Sequence, residues 1–136
     1  MQQRMITLLI LSAALVVLLG ACSGGGGGSL NDTDWVLMIL NEQVPLGSFT
    51  LSFADGQVSG KAGCNSYFGD YEQSGETISI PMIGITEMYC MDPEGIMDQE
   101  SLYVGILSRA NTLTTNETQL LLQADDGAFL LFEEVE

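Results

Sequence analysis

The side chains able to do chemistry in this chain are few and of narrow type. There is no histidine, and three cysteines (Cys22, Cys64 and Cys90) accompany eighteen carboxylates and only three cations. Without an imidazole, the usual base for a serine or cysteine nucleophile is missing. A carboxylate pair is the remaining route to acid and base catalysis, as in glycoside hydrolysis. Glu72 and Glu76 flank one turn, and Asp92, Glu94, Asp98 and Glu100 crowd one short stretch. In so acidic a chain such pairs arise from composition alone, so they read as solvated surface. Asp125-Asp126-Gly127 lacks the further spaced oxygens of a calcium loop and reads as a turn. Met82, Met88, Met91 and Met97 gather around Cys90, where thioethers usually fill irregular gaps. No catalytic residue, metal site or cofactor is expected, and the protein reads as a non-enzyme.

The cysteines divide as one plus two. Met5 to Leu19 is an apolar run broken only by Thr7 and Ser12, short for a membrane span and laid out like an export signal. It ends in Leu19-Gly20-Ala21-Cys22, which resembles the lipobox of bacterial lipoproteins. That resemblance implies a signal at 1–21, cleavage before Cys22 and acylation of Cys22. It also implies an envelope protein held by lipid, at the outer membrane or the outer face of the cell membrane. Residues 22–29 form a glycine-rich tether with a span of roughly 15 Å, and 30–136 form one domain. Cys64 and Cys90 are then left as an even pair for a disulfide in an oxidising compartment. Loss of Arg4 with the signal takes the net charge from −15 to −16. With Lys61 and Arg109 as the remaining cations, nucleic-acid binding is excluded on electrostatic grounds. The surface charge also holds the domain off anionic lipid.

The elements that position these residues are mostly strands. Leu30 to Asp34 reads as a polar lead-in, and Trp35 to Leu40 as a first strand buried on both or nearly both faces. Phe49, Leu51 and Phe53 alternate with Ser48, Thr50 and Ser52, and Val58, Gly60 and Ala62 continue the period beyond Asp55-Gly56. That pattern is a β-hairpin. Asn65 to Glu72 and Thr77 to Ile80 form a second return about Ser74-Gly75, with Gly60, Gly63 and Gly69 as sites of bulges or bends. A short strand is predicted within Ile83 to Met88.

One helix is predicted from Asp92 as N-cap and Pro93 as first helical residue, with Ile96, Tyr103, Ile106, Leu107 and Ala110 on its apolar face. Asp98, Gln99, Ser101 and Ser108 fall elsewhere, and Gly105 suggests a close crossing over the sheet. Strands return at Thr112 to Thr115, Leu120 to Leu122 and Ala128 to Phe132. The fold class is α+β: a mainly antiparallel curved sheet or partial barrel with one helix packed against it and one disulfide. Tyr67, Phe68, Tyr71, Tyr89 and Tyr103 either line a groove at its mouth or fill its core.

Three stretches, GKAGCNSYFGDYE, ISIPMIGITEMYCMDPEGIMDQESLYVGIL and LLLQADDGAFLLF, resemble the META domain, or HslJ-like, family of bacterial envelope lipoproteins. The resemblance runs from a tryptophan strand at Trp35 through Gly63-Cys64-Asn65-x-Tyr67 and Thr86-x-Met88-x-Cys90 to a helix start ending at Glu100. Asn41 is followed by Glu42 where relatives commonly have glycine. The family implies an exported domain without a defined enzymatic activity, some members being linked with heat shock, antibiotic tolerance or motility. It supplies no catalytic residues. The expected function is a membrane-anchored, monomeric lipoprotein with a binding or envelope-maintenance role toward an envelope protein or a small apolar ligand. The alternative is a lipid carrier or an inhibitor of a cationic envelope hydrolase.

Overall fold

The computed structural model of the protein describes residues 28–136. The expected signal at 1–21, Cys22 and most of the 22–29 tether lie outside the described residues. Ten strands and one helix follow in order. These are β1 (Thr33–Leu40), β2 (Thr50–Ala54), β3 (Gln57–Ala62), β4 (Asn65–Asp70), β5 (Glu72–Ser74), β6 (Thr77–Ser79), β7 (Ile83–Ile85), α1 (Ile96–Arg109), β8 (Thr112–Thr115), β9 (Gln119–Gln123) and β10 (Phe129–Glu134). They form one curled antiparallel sheet in the order β5-β6-β8-β9-β10-β1-β2-β3-β4-β7. The hairpins fall where the turn residues put them, at Asp55-Gly56, Ser74-Gly75 and Asp125 to Gly127. Gly56, Gly75 and Gly127 all take positive φ there, at no cost in side-chain sterics.

β1 differs from its expected two-faced burial. Trp35, Leu37 and Leu40 are buried while Met38 is exposed, because a bulge between Leu37 and Ile39 shifts the register against β10. The extra residue returns Leu40 to the core face after the two-residue period has been broken. Leu30, read as part of a polar lead-in, is itself a core residue. β7 is shorter than the predicted stretch and ends at Ile85.

After β1 the chain reverses through Asn41 and Glu42, with φ of 43° and 73°. Leu40 and Gln43 exchange both backbone hydrogen bonds across this turn at 2.9 Å. Two successive left-handed residues define the turn that favours Asn-Gly, and Glu42 stands where glycine would be free of strain. Glu42→Gly is therefore expected to stabilise the fold by about 1 kcal/mol, seen as a higher midpoint in urea at unchanged slope.

The helix closes one side of the curled sheet and packs on β3 and β10. It begins at Ile96, with left-handed Gly95 as N-cap, three residues beyond the predicted Asp92 cap. The Asp92-Pro93 segment instead makes a turn in which the Pro93 carbonyl accepts the Ile96 N–H at 3.2 Å. Ile96, Tyr103, Ile106, Leu107 and Ala110 are buried as expected. Gly105 is not at a close crossing: a Cβ there would meet only the Arg109 guanidinium, and nothing in the structure requires a glycine. Arg109 pairs with Asp126 at 3.2 Å, tying the helix end to the β9–β10 turn.

Candidate functional site

The residues singled out in the sequence converge on the corner where β3, β4, the 86–95 loop and the helix start meet. Gly63 makes the turn from β3 to β4 with a φ of 81°. A Cβ at Gly63 would lie 2.7 Å from Ile96 and 2.9 Å from Phe49, so its absence is what lets the helix start sit against the sheet. Cys64 follows and is bonded to Cys90, with 5.9 Å between the Cα atoms. This is the pairing expected from the cysteine count, and it holds the far loop against the start of β4.

Next to the disulfide, Asn65 is only 1% exposed and uses every side-chain polar atom. Its Nδ2 donates to the Met88 carbonyl at 2.9 Å and to Glu100 Oε1 at 2.8 Å. Its Oδ1 accepts the Met88 N–H at 2.7 Å and the Thr86 hydroxyl at 2.8 Å. Its own backbone N–H donates to Glu100 Oε2 at 2.7 Å. Asn65 is thus a bracket between loop and helix, with Glu100 as the charged member. Hydrogen bonds with one ionised partner are the stronger kind, and a fully satisfied buried network fixes one geometry.

Glu100 is 7% exposed, which overturns its reading as solvated surface. Gln99 is buried too, where the helix pattern placed it off the apolar face. Its Oε1 accepts the Leu46 N–H at 2.8 Å, and its Nε2 donates to the Val44 carbonyl at 3.0 Å, clamping the segment after the Asn41-Glu42 turn. A signal for both was present. Positions 96, 99, 100, 103, 106, 107 and 110 form one continuous helical stripe, and Gln99 and Glu100 occupy its first turn among apolar residues. A polar residue inside such a stripe needs a buried partner.

The aromatic residues divide. Tyr67 and Tyr103 are core, their hydroxyls 2.7 Å apart, and the Tyr67 hydroxyl is 2.7 Å from the Thr50 carbonyl. Gly60 clears the space for this, since a Cβ there would overlap the same carbonyl. Its role is close approach, not the bulge expected of it. Tyr71 packs edge-on against Phe53, whereas Phe68 and Tyr89 are exposed. Of the four methionines, Met97 packs against the core, but Met82, Met88 and Met91 are exposed and fill no gap. Trp35 stands apart from the corner, in an open cleft of about 380 Å³ shared with Leu30, Thr115 and Glu134.

Burial raises the pKa of Tyr67 and raises that of Tyr103 well above the usual phenol value. A phenol whose folded pKa lies above its unfolded value contributes stability that is whole below about pH 10 and is lost as pH rises through the folded value. Stability measured by urea is expected to be level up to about pH 10 and then to fall by up to about 1.4 kcal/mol per pH unit for each tyrosine. The fall should be reduced in Tyr103→Phe.

Among the described residues there is no cluster of three metal-ligating side chains, and no helix is long and apolar enough to cross a membrane. Every buried side-chain polar atom among them has a hydrogen-bond partner.

A curled antiparallel sheet closed by one helix, with a disulfide and a polar bracket fastening the same loop, defines a small disulfide-stapled α+β half-barrel. The family model of the META domain matches residues 28–136, and the chain belongs to that family. A protein from Burkholderia xenovorans solved by NMR is 28% identical with a TM-score of 0.66, over 78% of this chain and 83% of that one. A second protein solved by NMR shares the fold at 19% identity and a TM-score of 0.63, over 76% of this chain and 90% of the other. No curated protein matches the chain.

Proposed function

We propose that this META-domain chain is a membrane-anchored lipoprotein, fastened through acylated Cys22, with a non-enzymatic binding or envelope-maintenance role. The anchor rests on the Leu19-Gly20-Ala21-Cys22 motif, and the observation that supports the non-enzymatic role is how the buried polar side chains are used. Asn65, Gln99 and Glu100 all hold loops in place, and both oxygens of the buried Glu100 carboxylate are engaged by Asn65. Such groups serve a rigid scaffold that presents a surface, because an acid or base must have a free face toward its substrate. A carrier of apolar ligands is less well supported: Phe49, Tyr67, Tyr103 and Phe132 occupy the space between sheet and helix.

Mass spectrometry of the protein extracted from bacterial membranes tests the anchor. The expected N-terminal peptide begins at Cys22 and carries lipid, and Cys22→Ser should abolish both the acyl group and cleavage at that position. A mature chain that begins elsewhere and carries no acyl group overturns the reading.

A further inference from the structure

The 86–95 loop is held rigidly and yet turns its largest apolar side chains to solvent. Met88, Tyr89 and Met91 are 55%, 79% and 84% exposed. Their backbone has no freedom to fold them inward. The Thr86 N–H is bonded to the Ser66 carbonyl, Met88 is held at both N–H and carbonyl by Asn65, and Cys90 is bonded to Cys64. Exposed apolar groups on a fixed backbone mark contact surfaces, since little ordering entropy is lost when a partner docks.

The loop and the helix start enclose a concavity of about 210 Å³. It is lined by Tyr89, Met91 and Met97 together with the acidic residues Glu94 and Asp98. Glu87 and Asp92, both exposed, lie in the same loop, and Leu46 packs close to Gly95. Among the described residues the one ion pair is Arg109–Asp126, so no cation pairs with Glu94 or Asp98. The helix start contributes only about half a positive charge, which the Glu94 and Asp98 carboxylates outweigh.

Resting on the binding role proposed above, we infer that this concavity receives a lysine or arginine side chain from a basic, apolar-flanked segment of a protein partner. The aliphatic stem would lie along Met91 and Met97 and the cationic head would meet Glu94 and Asp98, with the Tyr89 ring offering a cation–π face. Apolar neighbours of that residue would cover Met88 and Leu46. The same acidity disfavours a second copy of this chain and an anionic membrane as the occupant.

The test is titration of the full isotope-labelled chain with a capped synthetic peptide of alternating leucine and arginine. NMR shift changes are expected at residues 87–98 and 46, with affinity falling as salt is raised. Tyr89→Ser combined with Met91→Ser, and Glu94→Gln combined with Asp98→Asn, should each weaken binding about tenfold. All four side chains are exposed, so the melting temperature should not move. Glu72→Gln combined with Glu76→Gln, at the far turn, should leave binding unchanged. Shifts scattered over the acidic surface, equal weakening by the far-turn pair, or no saturable binding would each overturn the inference. So would equal binding of a peptide with arginine replaced by glutamine. None of these outcomes bears on acylation of Cys22, so the two readings fail separately.

Discussion

Replacing Asn65 by alanine is expected to destabilise the domain by about 3–5 kcal/mol and to lower its melting temperature by roughly 15–25 °C. The magnitude follows from what is left behind. The Met88 N–H and carbonyl, the Thr86 hydroxyl and one Glu100 oxygen all lose their Asn65 partner at once. Each such group costs about 1–3 kcal/mol when buried and unpaired, and water can reach the Met88 side of the site to offset part of the sum. Differential scanning calorimetry of the oxidised protein measures the loss. A fall of only a few degrees would mean that the bracket is replaced by solvent and does not fix the loop. Asn65→Asp should be as damaging, because it sets a second carboxylate against Glu100 and removes the Nδ2 donor.

Removing the Cys64–Cys90 bond, by Cys64→Ala with Cys90→Ala, is expected to cost about 3–4 kcal/mol, the loop-closure entropy of about 27 residues. The effect should be local before it is global. Amide exchange is expected to accelerate first over residues 87–95, whose other fastenings include the Asn65 bracket and the contact of the Cys90 N–H with the Met97 sulfur, while Thr86 stays bonded to Ser66. Bond and bracket restrain one loop, so their losses should not add. In the Cys64→Ala, Cys90→Ala protein, Asn65→Ala should cost at least about 0.5 kcal/mol less than in the oxidised protein. Full additivity would show that the two act on different parts of the fold.

The corner where these changes fall was legible in the sequence as a set of residues, but not as a mechanism. Gly63, Cys64, Asn65, Thr86, Met88, Cys90 and Glu100 could be picked out, yet nothing in their order along the chain makes Asn65 the hub. That role requires residues 23 and 35 positions away to meet at one side chain, which only the curl of the sheet brings about. Trp35, selected with them, lies elsewhere. The helix start was misplaced for a related reason. Asp92-Pro93 has the local chemistry of an N-cap, but the disulfide at Cys90 and the packing of Ile96 over Gly63 fix where the first turn can begin. Tertiary contacts of that size override a capping preference of about 1 kcal/mol.

What the sequence determined alone was whatever depends on neighbours along the chain. The alternation of Phe49, Leu51 and Phe53, the Asp55-Gly56, Ser74-Gly75 and Asp125-to-Gly127 turns, and the apolar stripe of the helix all report local backbone geometry. The even pair of domain cysteines added one long-range link. Only the tertiary structure decided that Gln99 and Glu100 point inward, that Met88, Tyr89 and Met91 point outward, and that β1 shifts its register at Met38. Residue type sets the cost of burial or exposure, but which cost is met depends on the groups the fold brings opposite each side chain.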